Sequence, residues 1–435
     1  MLKVERRSLI CVLLAMVLFF GLMYYVLKLS LNGEEWATFE GNMLVYTNGQ
    51  INRGSVYDRN DVLLLDCNEE GITFNENAKI RQALVHTSGD IYGNVSTGIL
   101  SSNKGALIGY DFINGVYTRD NEGEDIKLTL DANACKVAYE ALGYHNGTVG
   151  VFNYETGEVL CIVNKPAFDP IYLNNVEGAY FNTFLQGTVV PGSTFKVVTT
   201  IAAIENIENI EEFNYNCDGN SDINCSYNHG NVDFYLAFAK SCNGAYGEIT
   251  NELGASMMTD YVKKLGLTNS YNIEGINTKE GEFLFSENEN ALAWAGIGQN
   301  MDRVNPCSMM ILMGAIANKG EAVNPFFIYN SEKIFNSQNQ SLGQMLNKDT
   351  AKEVEAMLKN NVVVTYGESN FDELDIYAKS GTAEVDNQNL SNGLFTGYIK
   401  NEGYPYAFFV FVENGGSGSS SAGSVAKKVL NELIN

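Results

Sequence analysis

The chain has 435 residues, room for two or three domains and a sizeable core, and its apolar share of 45% is ordinary for a globular protein. A formal charge of −24 leaves no basic stripe to meet phosphates and argues against nucleic-acid binding. That charge instead keeps an exposed protein soluble and monomeric.

The N-terminus is the most specific segment. Lys3, Arg6 and Arg7 precede an uncharged, almost wholly apolar run over residues 9–27, which as a helix would span roughly 28 Å, enough for a bilayer core. The run exceeds the ~7–15-residue core of a cleaved signal peptide, and no clear Ala-x-Ala site follows it. Only Lys28 closely follows before Glu34 and Glu35, so residues 1–8 should stay cytoplasmic. Residues 9–28 are then a single-pass anchor, with the remainder outside the cell.

Residues 29–124 show short, turn-broken segments and no long helical period. Arg53-Gly54 with Asp58-Arg59-Asn60 reads as a structural ion-pair corner. Residues 81–98, holding His86, Asp90, Gly93 and Asn94, read as loop. The three histidines, His86, His145 and His229, read as polar loop residues, and no Ser-His-Asp triad suggests itself. Eight cysteines show no Cys-x-x-Cys spacing, so no metal or other cofactor is expected. Cys217 and Cys225 flank a Gly/Asn/Asp-rich loop, which leaves open a disulfide or two free thiols.

Near residue 125 the texture changes. Residues 126–131 alternate as an edge strand should, 132–142 read as a short helix, and 148–152 with 159–163 form a hairpin across Glu155-Thr156-Gly157. Then comes Val190-Pro191-Gly192-Ser193-Thr194-Phe195-Lys196. Proline and glycine break the preceding segment, and apolar residues at helical spacing follow, so Ser193 is expected to cap a helix with Lys196 one turn along its face. A desolvated lysine loses basicity and can take the serine proton, while the helix's first N–H groups suit an oxyanion. About one or two Ser-x-x-Lys matches are expected by chance. Two others occur, Ser101 with Lys104 in a polar loop and Ser424 with Lys427 in a short terminal helix.

To about residue 359 the chain reads as mostly helical. Ser241-Cys242-Asn243 ends a helical run over 234–239, although Ser286-Glu287-Asn288 and Ser337-Gln338-Asn339 share its weak Ser-x-Asn pattern. Strands return at 376–384, 394–399 and 406–412, and a Gly/Ser-rich turn over 415–421 leads to a last helix. Lys379-Ser380-Gly381-Thr382 lies on the first of these strands. Its glycine permits close backbone approach, and its hydroxyls and ammonium suit a carboxylate. Two strands early and three late, with helices between, predict an α/β (α+β) domain built on one antiparallel five-stranded sheet flanked by helices.

In that order the three motifs resemble those of penicillin-binding proteins and serine β-lactamases. The longer strings, with Arg53-Gly54, Asp58-Arg59-Asn60, His229-Gly230, Gly296-Ile297-Gly298-Gln299 and Ala383 after Thr382, are similar to the class B penicillin-binding proteins. The resemblance implies a small β-rich pedestal over 29–124, a transpeptidase domain over 125–435, and a peptidoglycan D,D-transpeptidase. Ser193 would attack the carbonyl between the terminal D-alanines of a stem peptide, with Lys196 taking its proton. Ser241 and Lys379 would relay a proton to the leaving amine, and Asn243 would bind the substrate's amide side chain. The N–H groups of Ser193 and Thr382 would form the oxyanion hole, with Ser380, Gly381 and Thr382 as the binding strand for the terminal carboxylate. Stem peptides, β-lactams, the cytoplasmic membrane and a glycan-polymerising partner are the implied partners.

The sequence departs from the family at Ser380, where threonine is commoner, at Asn300 after Gln299, and in its short pedestal. No glycosyltransferase domain fits before the transpeptidase. The rivals are a serine β-lactamase or D,D-carboxypeptidase, for which Glu287 with Asn290 could be imagined as deacylating residues, and a non-catalytic penicillin-binding sensor or scaffold.

Overall fold

A computed structural model describes residues 2–117, 123–172, 176–219, 223, 225, 227–329, 340–384 and 390–435. Its central element is a five-stranded sheet made of β1 (Gly147–Asn153), β2 (Val159–Lys165), β3 (Ile376–Glu384), β4 (Ser391–Ile399) and β5 (Tyr406–Val412). The order is β3-β4-β5-β1-β2, every pairing antiparallel, so the two ends of the domain meet where β5 joins β1. The expected composition of the sheet, two early strands and three late, is what the chain forms.

β5 reads Tyr-Ala-Phe-Phe-Val-Phe-Val with no polar alternation because every position is buried. A strand covered on both faces has no solvent side to mark. Helix Pro306–Ala317, apolar all round and wholly buried, lies on β5, β4 and β1. Helices Ala132–Ala141 and Ala422–Ile434 pack on each other and on the sheet, as a third layer.

The preceding segment has its own four-stranded sheet, in the order Gly71–Phe74, Leu63–Asn68, Ser55–Tyr57, Ile126–Lys127. The alternating stretch at 126–131 is therefore a strand of two residues, parallel to Ser55–Tyr57 rather than part of the large sheet. The chain is there crossing between layers: Leu128 N–H donates to Tyr57 O and Thr129 N–H to Phe327 O.

The turn-broken reading of this region missed one long helix and two short ones. Ala78–Ser88 starts at Asn77, whose side chain accepts from Lys79 N–H, and stops at Gly89, with φ 94°. It packs on Ala132–Ala141 and β2. Residues 81–88 are thus helix rather than loop, and Ser101 and Lys104 fall in short helices, Ile99–Ser102 and Lys104–Leu107. His86 is buried core rather than a loop residue, with Nε2 3.0 Å from Ala179 O and burial holding its pKa down to about 4.

The Arg53–Asn60 corner contains no ion pair among the described residues. Arg53 donates to the carbonyls of Val116 and Leu44, and Arg59 to that of Thr129. Asp58 accepts from the N–H groups of Asn60, Val62 and Ala132. The charges satisfy backbone at a crowded crossing, as buried polar groups must. An ion pair forms elsewhere: Arg81 grips Asp169 with Nε at 2.9 Å and a second nitrogen at 2.5 Å.

At the N-terminus, helix Leu2–Ala37 runs past the predicted span at both ends, with the apolar part exposed and long and apolar enough to cross a membrane. Between the sheet's two halves the chain is mostly helical, and its described residues also form three short strand pairs, among them Asn214–Cys217 with Gly230–Asp233.

Candidate active site

The segment before Ser193 ends at Pro191, after which Gly192–Phe195 forms one 3₁₀ turn feeding helix Lys196–Asn206. Ser193 is not the helix cap that its position predicts: it lies inside the 3₁₀ turn, with Pro191 at the cap of that turn and Phe195 at the cap of the helix. The tighter turn matters because residues three apart eclipse one another in a 3₁₀ helix. Lys196 Nζ thereby comes within 3.2 Å of Ser193 Oγ. Gly192 enables the turn, with φ +51° and its N–H donated to Gly298 O at 2.8 Å. Phe195 anchors it from below, fully buried and stacked on Phe283 and Phe285.

Lys196 is fully buried. Its Nζ lies 2.7 Å from Ser241 O and 2.7 Å from Asn243 Oδ1, two atoms that can only accept. They take two amine hydrogens, and the remaining direction faces the hydroxyls of Ser193 and Ser241, the latter at 3.1 Å. Burial lowers the amine's pKa to about 7, against an opposing pull from the thiols of Cys242 and Cys225.

Ser241 sits in the turn between helices Phe234–Ala239 and Asn243–Lys264 with φ +54°. A non-glycine residue there costs of order 1–3 kcal/mol, held in place by its surroundings. The strain carries its oxygen between two amines, since Lys379 Nζ donates to Ser241 Oγ at 3.0 Å. Lys379, on β3, is 1% exposed, and burial with the nearby Lys196 charge holds its pKa well below the usual value. Ser193, Lys196, Ser241 and Lys379 thus form an unbroken hydrogen-bonded line. Among the described residues neither lysine has a carboxylate partner.

β3 passes close to the serine turn. A Cβ on Gly381 would stand 2.9 Å from Pro191 O, which is why the third position of this motif has no side chain. Ser380 and Thr382, on either side, line a cleft of about 240 Å³ together with Ser193, Ser241 and Asn243. All eight predicted site residues therefore fall at one place. Glu287 and Asn290 do not: both are exposed and outside this lining. Ser337-Gln338-Asn339 lies outside the described residues.

Sequence reasoning left Trp294 and Gln299 without a role, and both line the cleft. It also missed a cluster at the cleft's wall. Cys217, Cys225, His229 and Cys242 bring one ligand atom each to within 4.8 Å of one another. Cys225 Sγ is 3.6 Å from Cys242 Sγ, and Cys217 Sγ is 3.4 Å from His229 Nδ1. Tetrahedral Zn²⁺, with bonds of ~2.3 Å to sulfur and ~2.0 Å to nitrogen, would set neighbouring donors about 3.5–3.8 Å apart. These residues fit such an ion. All the cysteines are free thiols, and Cys225 accepts from Asn243 N–H at 3.1 Å. The Cys242 hydrogen bond lowers the Cys225 pKa, partly opposed by burial, which favours a thiolate at this position. The signal was present as four soft ligands inside residues 217–242, without the short spacing of common zinc motifs.

Residues 147–435 match the family of the penicillin binding protein transpeptidase domain. Stage V sporulation protein D of Bacillus subtilis is 24% identical over 73% of this chain and 54% of its own length. The peptidoglycan D,D-transpeptidase MrdA of Acinetobacter baumannii is 23% identical over 71% of this chain and 53% of its own. The chain thus spans about half the length of these two relatives. Penicillin-binding protein A of Mycobacterium tuberculosis, solved as a ceftriaxone acyl-enzyme complex, superposes with a TM-score of 0.76 at 18% identity, covering 88% of this chain and 98% of that one. The motif line, the three-layer sheet and this match agree: the chain belongs to the penicillin-binding protein transpeptidase family, among its class B members.

Proposed function

We propose that this protein is a peptidoglycan D,D-transpeptidase. The observation that carries the reading is the line from Ser193 Oγ through Lys196 and Ser241 to Lys379, each link 3.0–3.2 Å long. Neutral Lys196 accepts the Ser193 proton as Oγ attacks the carbonyl between two D-alanines. The oxyanion is met by the N–H groups of Ser193 and Thr382. As the C–N bond breaks, a proton passes through Ser241, with Lys379 beside it, to the leaving amine, and D-alanine departs. Ser380 and Thr382 hold the terminal carboxylate. Asn243, whose Oδ1 accepts from Lys196, would bind the substrate's amide side chain. An amine of a second stem peptide then displaces Ser193 and completes the cross-link.

The reading takes residues 29–124 as a pedestal and 125–435 as the transpeptidase domain. The helix at 9–28 is the anchor, with the N-terminus cytoplasmic and a glycan-polymerising partner alongside. Cys217, Cys225, His229 and Cys242 would hold a zinc ion. Bound there it would fix the Ser241–Asn243 turn and neutralise thiolate charge beside Lys196.

Four outcomes are expected. Ser193→Ala should abolish covalent penicillin labelling, and the wild-type penicilloyl adduct should last many minutes by mass spectrometry, since the three motifs supply no carboxylate and Glu287 lies outside the cleft; loss within seconds would favour a β-lactamase. Acylation needs Lys196 neutral, so its rate should rise about tenfold per pH unit below ~6 and level off above ~8, while Lys196→Ala slows it ~10²- to 10⁴-fold. A rate independent of pH between 5 and 8 would remove Lys196 as the base. Protease added to intact protoplasts should digest the chain beyond the helix Leu2–Ala37, and full protection there would reverse the orientation. Metal analysis of the purified chain should find one zinc, lost in His229→Ala with a fall in thermal midpoint; a metal-free chain indifferent to chelator would reject the site.

A further inference from the structure

The segment that follows helix Lys348–Asn361 is a π-turn, Val362–Tyr366. Single π-turns extending an α-helix are rare and concentrate at functional places. This one ends against both of the later motifs. Thr365 Oγ1 donates to Ala239 O at 2.6 Å, two residues before Ser241. Tyr366 reaches β3, its ring edge-on to Phe395 at 5.5 Å and the residue 9% exposed.

The bonds of the Tyr366 hydroxyl can be counted. It accepts from Ser380 N–H at 2.6 Å and from Asn361 Nδ2 at 2.8 Å. A phenol has one hydrogen and two acceptor positions. With both acceptor positions occupied, its hydrogen goes to the remaining neighbour, Ser380 Oγ, at 2.8 Å. Asn361 is itself fixed, for the same Nδ2 donates to Ala378 O at 2.8 Å and the residue is fully buried. Burial raises the phenol's pKa, so it stays protonated and able to donate. Ser380 Oγ therefore already holds one incoming hydrogen bond, and its own hydrogen is free to point away from Tyr366, into the cleft that Ser380 lines.

We infer that Tyr366 is a positioning residue for the substrate carboxylate: it aims the Ser380 hydroxyl as a donor into the cleft. The role rests on the acylation reading above. It also accounts for a serine in a motif where the side chain must hold one rotamer. Serine lacks the second Cβ substituent that stiffens threonine, and the phenol supplies the missing constraint from outside. Without Tyr366 the hydroxyl would be free to turn among several rotamers and to accept rather than donate.

The test uses two acylating agents on the full chain in detergent, a penicillin with its free carboxylate and the methyl ester of the same penicillin. Second-order acylation rates are measured for wild type, Tyr366→Phe, Ser380→Ala and the double variant. Tyr366→Phe keeps the ring on Phe395 but leaves Ser380 N–H and Asn361 Nδ2 without their acceptor, so its thermal midpoint should fall while an unchanged circular dichroism spectrum confirms the fold. Its rate with the carboxylate form should fall roughly 10-fold, the usual worth of a hydrogen bond to a charged group, with the ester rate changed less than about twofold. Ser380→Ala should show the same selective loss, and the double variant should lose no more of the carboxylate-to-ester rate ratio than Ser380→Ala, because the phenol's effect on that ratio passes through Ser380 Oγ. Equal losses with both agents, losses that multiply in the double variant, or no change in Tyr366→Phe would each overturn the inference. A wild-type chain that forms no adduct at Ser193 would instead end the transpeptidase reading and this role with it.

Discussion

Two lysines share one serine oxygen in a dry site, and the rest of the fold exists around that constraint. Lys196 and Lys379 both hydrogen-bond to Ser241 Oγ, so their nitrogens are no more than about six ångström apart. At that distance two ammonium groups repel by about 3 kcal/mol at an effective dielectric of ~20. This corresponds to about two pKa units, on top of the burial that already disfavours charge. Double protonation near neutrality is therefore disfavoured, which leaves one of the two amines able to accept a proton. A site that must accept a proton at one end and give one at the other needs such a vacancy.

Holding the amines there requires elements far apart in sequence to touch. Lys196 comes from the turn under Gly192, Ser241 from a strained junction of two helices, and Lys379 from β3. Gly192, Gly298 and Gly381 remove the side-chain layer that would otherwise separate these backbones. A Cβ on Gly298 would stand 2.2 Å from Gly192 O. Such contacts cannot be relaxed one at a time, since each backbone is also the wall of its neighbour.

Much of this was legible in the residues. The hairpin at β1 and β2 and the strand of Lys379 had clear strand signals, and the spacing of Ser193 and Lys196 was informative whether the turn proved α or 3₁₀. Local signals failed where partners are remote. The alternation at 126–131 was real, yet its hydrogen bonds go to Tyr57 on one side and Phe327 on the other. The arginines near Asp58 looked like ion-pair partners, but carbonyls exposed by chain crossings claimed them first. The helix Ala78–Ser88 carries local signals at both ends, an Asn77 cap and a Gly89 stop. Tyr366 was beyond reach, since nothing in its neighbours announces what it faces, and the Cys/His cluster showed only as four possible ligands inside residues 217–242 without the short spacing of common zinc motifs.

The position of β3 at the margin of the sheet has one more consequence. A margin strand offers unpaired backbone groups along its whole length, and a peptide could in principle add itself anywhere along it. Here the outward N–H of Ser380 is taken by the Tyr366 phenol. N–H groups two residues apart point the same way along a strand, so the next outward one belongs to Thr382, beside Ser193. The phenol is an end stop on a ruler: an added strand that slid by one repeat would find its first bond already made. The edge is thereby closed on the Lys379 side and open to an added strand from Thr382 onward.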